Sequence, residues 1–490
     1  MHAEASRKRV VVLGGGITGL TASYRLCRAA QMHDLPFDVT LLEASDHLGG
    51  VIATDQSQEL LLERGPDCFI SSKPWGVHLC EELELGAQLI STTTQHRQSF
   101  IVRHGRLIPV PQGLYLMVPG SLWSFAMSPI LSWRGKLRMG LDLLLPRRTA
   151  AADESLAHFV TRRLGREALE RLAQPMIGGI YTADPQYLSL QATMPQFLEM
   201  EQRHGSLIRA MLRHRQTPQH GASAQGTSGP RYGLFVSFRH GMRTLVDHLA
   251  AGVPKQTVRL LARVRGVHWQ PQAWRWLVRV QGQPDLHADA LCLALPAPQA
   301  SRLLADVAPD LSSVLQDIPY ASSATVNVAY QRAQVSHPLN GMGFVVPAVE
   351  QRTLMACSFS SVKFAGRAPD HLVLLRAFVG GALQPEQYEL ADHAMQHAVC
   401  QDLQQLLGIT GKPTHISVSR HPHSMPQYHL GHVQRVARIE ALARHFPGLV
   451  LAGNAYRGVG IPDCIRSGNT AAQALIAYLT ASPTHEASST

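Results

Sequence analysis

Val10-Val11-Val12-Leu13 runs straight into Gly14-Gly15-Gly16-Ile17-Thr18-Gly19-Leu20, and few features of a chain limit its fold as tightly. Arg9 to Leu13 reads as a buried parallel strand and Thr21 to Ala30 as a helix, which leaves Gly14, Gly16 and Gly19 in the turn with G-x-G-x-x-G spacing. The first glycine allows the tight turn. The second lets backbone approach a pyrophosphate at the helix N-terminus, and the third lets helix and strand pack closely. Phe37 to Leu42 reads as the next strand, and Glu43 ends it, 24 positions after Gly19 (43 − 19). A carboxylate there accepts hydrogen bonds from an adenosine ribose. Together these elements predict a Rossmann-type dinucleotide site built from Gly14, Gly15, Gly16, Ile17, Thr18, Gly19 and Glu43. A Rossmann unit without nucleotide is the plainer alternative.

The glycine pair Gly49-Gly50, then Val51, follows closely, which suggests backbone passing beside an extended cofactor. Glu63-Arg64-Gly65-Pro66-Asp67 comes next, and about 400 residues downstream stands Leu451-Ala452-Gly453-Asn454-Ala455-Tyr456-Arg457-Gly458-Val459-Gly460-Ile461-Pro462-Asp463-Cys464-Ile465. With these segments the chain resembles the FAD-dependent amine oxidase and porphyrinogen oxidase superfamily, from about Val10 to Leu475. The resemblance implies FAD, with the returning strand, turn and helix N-terminus against the flavin pyrimidine ring and ribityl chain. It adds Gly49, Gly50, Val51, Gly65, Pro66, Asp67, Gly453, Ile461, Pro462 and Asp463 to the cofactor contacts, and Val264 through its backbone at the adenine.

Gly178-Gly179-Ile180-Tyr181-Thr182-Ala183-Asp184-Pro185-Gln186-Tyr187-Leu188-Ser189 is similar to the G-I-Y-x-x-D-P-x-x-L-S segment of the oxygen-dependent protoporphyrinogen and coproporphyrinogen oxidases. Phe238-Arg239-His240-Gly241-Met242 departs from that family, which more often has a proline and a glycine pair there. The resemblance implies a six-electron oxidation of a porphyrinogen, with O2 as acceptor and hydrogen peroxide as product, in haem biosynthesis. The cofactor carries that chemistry, so no Ser-His-Asp or Cys-His set is required and no catalytic side chain is nominated. Propionates call for cations, and Lys73 and Arg97 are the candidates; the family's matching glycine puts Gly179 against the reacting ring. Cys464 reads as a small residue packed under the flavin rather than a redox thiol. Coproporphyrinogen III and protoporphyrinogen IX both remain open as substrates. A flavin amine oxidase, a carotenoid desaturase and a non-catalytic flavin-binding protein remain open as rivals.

The chain has 490 residues, enough for two or three cored domains, and Lys+Arg 45 against Asp+Glu 35 makes it basic. No arginine-rich repeat or aromatic-basic interleaving supports nucleic acid as partner; an acidic substrate or an anionic membrane surface accounts for the charge. Seven cysteines, an odd number without C-x-x-C, fit a reduced cytoplasmic compartment. No histidine spacing matches a metal-ligand set, so no metal is expected. Met1 to Arg9 leads into the first strand without an export segment. Leu114 to Leu131, the longest apolar stretch, is interrupted by Pro119, Gly120 and Pro129 and is barely long enough to span a bilayer. Beside it, Arg134, Lys136, Arg138, Arg147 and Arg148 give a segment resembling an interfacial patch, hence an expectation of peripheral contact at the inner face of the cell membrane. A helical subdomain with its own core is the other reading. Oligomeric state is left open.

The expected fold class is α/β: a discontinuous Rossmann-type FAD-binding domain, a mixed α+β substrate domain and a helical insertion. The flavin domain takes 1–88, 233–300 and 445–480, the substrate domain 89–112 and 301–444, and the insertion 113–232, with a tail at 481–490. Asp153 is the expected cap of a helix carrying Leu156, Phe159, Val160 and Leu164; Val258 to Val267 reads as one strand, and Gln216 to Pro230 as a surface loop.

Overall fold

The computed structural model describes residues 7–481, apart from 58, 97, 112–113, 116–117, 120–121, 149–151 and 217–234. Its centre is a five-stranded parallel sheet in the order Val258–Arg259, Phe37–Leu42, Lys8–Leu13, Ala290–Leu293, Leu449–Leu451. These strands come from widely separated stretches of chain. Side chains alternate across the sheet: Val10 and Val12 face helices Ile17–Met32 and Ile461–Ala481, whereas Val11 and Leu13 face an antiparallel layer containing Trp276 and Val278. Val10, Val11 and Val12 are completely buried, as expected of a strand covered on both faces. The two helices on one face touch where Gly468 meets Thr18 and Thr21, a spot with no room for a Cβ.

A second, seven-stranded sheet runs in the order His415–Pro426, Tyr320–Gln331, Leu372–Gly380, Leu354–Ser358, Gly343–Val345, Phe100–Arg103, Arg106–Pro109. It is antiparallel apart from the parallel pairing of Gly343–Val345 with Phe100–Arg103. Along Tyr320–Gln331, Ala324, Val326, Val328 and Tyr330 enter its apolar core. Thr325 and Asn327 alternate with them onto the opposite face, and Asn327 stands opposite Arg376 on the neighbouring strand.

Among the described residues between 122 and 216 the regular elements are helices, with Phe159, Val160, Leu164, Leu172 and Phe197 in their common core. Two expectations are corrected. Helix Leu156–Leu164 is capped by Ser155, whose Oγ accepts from the His158 amide, while Asp153 instead accepts from Ser189 Oγ and the Gly431 amide. Val258 to Val267 is two strands, broken where Leu261 takes φ +53° and its amide turns to the Ser45 carbonyl. The expected loop 216–230 lies outside the described residues save for Gln216, which ends a helix. So do Leu116 and Met117 of the apolar stretch.

Inside the insertion an arginine is buried outright. Arg163 Nε donates to Asp142 Oδ1 at 2.6 Å, and its other nitrogens donate to the carbonyls of Asp142, Leu145, Pro146 and Gly205. Asp142 Oδ2 accepts from Ser206 Oγ and the Ile208 amide, and both side chains are 0% exposed. Burying an ion pair is sustainable when every donor and acceptor is met, as here.

Candidate functional site

The glycine turn has the geometry its spacing predicts. Gly14 sits at φ +101°, where a side chain is strained, and its amide donates to the Leu42 carbonyl. A Cβ on Gly19 would overlap the Gly14 carbonyl oxygen, so the helix packs on the turn itself. At Gly16 a Cβ would meet nothing within 4 Å. That open space lies at the N-terminus of helix Ile17–Met32, where unpaired amides and the helix dipole favour an anion. Glu43 turns its carboxylate back to the turn: Oε2 accepts from the Gly15 amide at 2.6 Å and Oε1 from the Ser45 amide at 2.8 Å.

The other sequence-derived residues gather round this groove. Gly49 donates its amide to the Gly15 carbonyl and bridges to Gly16, and a Cβ on Gly50 would stand 3.4 Å from Gly16 Cα. Val51 is exposed beside them, and its carbonyl leaves no space for a Cβ on Gly65. The Ala262 amide donates to the Glu43 carbonyl, two residues before Val264. Gly453, at φ +127°, donates to Ser467 Oγ on helix Ile461–Ala481, whose first turn holds Ile461, Pro462 and Asp463. The space that a Cβ on Gly16 would enter, at a helix N-terminus, fits a phosphate group, and these are the residues that would cradle a pyrophosphate and flavin.

Lys73 is not a free cation. Its Nζ donates to Asp463 Oδ2 at 2.6 Å, with Arg466 3.6 Å from the same carboxylate, which puts Lys73 beside the cradle. Arg97 lies outside the described residues. Gly179 lines a cleft with Pro175, Thr182, Met355 and Gln384, and a Cβ there would meet nothing within 4 Å. Among the described residues, no cluster of His, Cys, Asp and Glu could hold a metal ion. Burial pushes the Cys464 thiol up to about 12, which suits a packed neutral side chain and not a redox thiol.

Sequence reasoning missed what lies under the strap Glu63–Asp67. Asn327 Nδ2 donates to the Glu63 carbonyl, Thr325 Oγ1 and His421 Nε2 donate to the Arg64 carbonyl, and Arg376 donates to the Gly65 carbonyl. Asp67 is paired with Lys363 at 2.8 Å and lies 3.7 Å from Arg376. Burial disfavours its charge, yet the two cations hold the carboxyl well below the usual range. The seven-stranded sheet thus grips the strap by three consecutive carbonyls. The alternation of Thr325 and Asn327 with Ala324, Val326 and Val328 was the available signal, but it named no partner.

Residues 17–476 match the family described as flavin containing amine oxidoreductase. The chain is 34% identical to the coproporphyrinogen III oxidase of Bacillus subtilis, covering 96% of this chain and 99% of that protein. It is 31% identical to the protoporphyrinogen oxidase of Homo sapiens, covering 96% and 98%. The crystal structure of a protein from Exiguobacterium sp. 255-15 superposes with a TM-score of 0.84 at 32% identity, covering 96% of this chain and 99% of that one.

Proposed function

The chain belongs to the flavin-containing amine oxidoreductases, and from that premise we propose that its substrate among the porphyrinogens is coproporphyrinogen III. The activity is FAD-dependent porphyrinogen oxidation in haem biosynthesis. The observation that carries the choice of substrate is identity of 34% over nearly the whole chain to two coproporphyrinogen III oxidases. Charge supports it: coproporphyrinogen carries four propionates, and a protein of net charge +10 attracts such an anion.

FAD, when bound, supplies the acceptor for hydride from the porphyrinogen. The protein's part is to hold and orient. The amides at the start of helix Ile17–Met32 would hold the pyrophosphate, and Glu43, which fixes the Gly15 and Ser45 amides, would accept from the ribose. The strap carbonyls, already engaged by the sheet, keep Gly65 and Pro66 from shifting. Gly179 lets the ring approach the backbone of helix Gln174–Tyr181. Lys73 remains a candidate propionate partner on the condition that it exchanges Asp463 for substrate.

Steady-state oxidation of both porphyrinogens, with oxygen uptake, tests the assignment. Coproporphyrinogen should give the higher kcat/KM by at least about tenfold, and that advantage should shrink with added salt. A higher kcat/KM for protoporphyrinogen sinks the choice of substrate. Glu43→Ala should weaken FAD binding by about 1.5–3 kcal/mol, the loss of a hydrogen bond to a charged group. Equilibrium dialysis measures it, and unchanged affinity removes Glu43 from the cradle.

Contact with a membrane surface is a second part of the proposal. Among the described residues no helix is long and apolar enough to cross a membrane. Yet Trp133, Leu137 and Leu144 are 70%, 74% and 81% exposed, with Trp123 and Met127 exposed nearby and Arg134 beside them. Several of the expected basic residues have internal work: Arg138 donates to the Thr161 and Arg162 carbonyls, Arg148 pairs with Glu154, and Lys136 donates to the Ala126 carbonyl. The apolar face is therefore the better target. Trp133→Glu with Leu137→Glu should abolish sedimentation with anionic vesicles at low salt while leaving the fold intact. Equal binding by wild type and variant rejects this face as the contact.

A further inference from the structure

Residues 427–432 join three parts of the molecule at once. Tyr428 is buried to 1% exposure, and its hydroxyl donates to the Asn454 carbonyl at 2.5 Å and accepts from the Gly458 amide at 2.8 Å. Its ring stacks on His432, with centroids 3.9 Å apart and planes 13° from parallel. His432 in turn makes a 2.9 Å hydrogen bond from Nε2 to the Tyr456 carbonyl. Burial lowers its pKa to about 4, so the ring is neutral and Nε2 donates. The turn 454–458 is thus held at Asn454, Tyr456 and Gly458, and it leads directly into helix Ile461–Ala481.

The same segment is fastened on its other side to the insertion and the cleft. The Tyr428 carbonyl accepts from the Ser189 amide, the Leu430 amide donates to Tyr187, and the Gly431 amide donates to Asp153. Gln427 Nε2 donates to the Tyr181 carbonyl at the end of the helix that carries Gly179. A displacement of that helix therefore reaches the turn through one backbone segment and one hydroxyl.

We propose that Tyr428, backed by His432, is a positioning residue: it sets the turn 454–458 of the flavin cradle and ties it to the cleft helix. The proposal rests on the flavin reading given above. Removing the hydroxyl takes from the part-buried Asn454 carbonyl and Gly458 amide the one group that bonds both ends of the turn, while the bonds at Tyr456 and at Asn454 Nδ2 remain.

Tyr428→Phe keeps the ring and the stack and removes only the hydroxyl. FAD binding should weaken by about tenfold, equivalent to about 1.4 kcal/mol. The visible flavin band and the reduction potential of the bound flavin should shift, and kcat should fall with KM for porphyrinogen within about twofold. His432→Phe, which keeps an apolar ring and loses the bond to Tyr456, should move the same quantities in the same direction, and it decides the matter if Tyr428→Phe does not fold. Val399→Ala, in the apolar core of the seven-stranded sheet, is the control: it should lower Tm without moving FAD affinity or the flavin band. Wild-type affinity and spectrum in Tyr428→Phe overturn the proposal. So does an equal shift in Val399→Ala, because the hydroxyl would then act through general stability alone. A wild-type protein that holds no FAD overturns the flavin reading itself, an outcome visible before any variant is made.

Discussion

Gly16→Val should give a folded protein that purifies colourless. Gly16 has φ −68° and ψ 176°, extended backbone that valine adopts without strain, and a Cβ there touches nothing in the protein. The side chain instead fills the space over the helix N-terminus that a pyrophosphate needs. Loss of FAD affinity should be at least about a hundredfold, or about 2.8 kcal/mol. Gly19→Ala makes the contrast, because its Cβ overlaps the Gly14 carbonyl and the damage falls on the fold. Absorbance at the flavin band against protein absorbance, with circular dichroism of both variants, separates the two effects. A folded Gly16→Val protein with full flavin would falsify the placement of the cradle.

The second large effect is expected far from the cradle. Asp142→Ala takes from the Arg163 guanidinium, 0% exposed, the carboxylate bonded to its Nε, leaving Glu201 at 3.5 Å as the remaining counter-charge, and it leaves Ser206 Oγ and the Ile208 amide without their acceptor. Breaking a buried pair from one side costs about 3–5 kcal/mol, whereas replacing both partners by apolar groups of similar size is often near neutral. Domain stabilities run to about 5–15 kcal/mol, so the single variant should be marginal. Asp142→Leu combined with Arg163→Met should recover much of the loss. Urea unfolding midpoints check this, and a double variant less stable than Asp142→Ala refutes the argument.

The parts of the site that were legible in the sequence are those whose partners are near in the chain. Gly14, Gly16, Gly19 and Glu43 lie within 30 residues, and strand Phe37–Leu42 has the bounds its composition suggests. The C-terminal turn was legible for another reason: its motif repeats a known arrangement, although nothing local says it returns to Gly14. Thr325, Asn327, Arg376 and His421 were illegible because their partners are backbone carbonyls more than 250 residues away, and a carbonyl leaves no mark in a sequence. Lys73 was recognised as a cation near the pocket, but its pairing with Asp463 spans 390 positions that no periodicity reports. Asp153 and Ser155 are both good caps. Only the packing of Asp153 against Gly431 decides which one caps the helix.

The central sheet closes on its last strand very late. Leu449–Leu451 pairs with Ala290–Leu293, and helix Ile461–Ala481 covers helix Ile17–Met32. Gly453 emerges from synthesis 434 residues after Gly19 (453 − 19), which at about 5–20 residues per second is roughly 20–90 seconds. Throughout that interval Val10, Val12, Leu20 and Leu26 lack the partners that later bury them completely. The growing chain therefore carries an apolar face with no cover of its own, and its assembly depends on loop closure over long separations, the slow kind. A ribosome that stops between Glu43 and Leu449 releases a chain that has the glycine motif but lacks the strand and the helix that cover Val10, Val12 and helix Ile17–Met32.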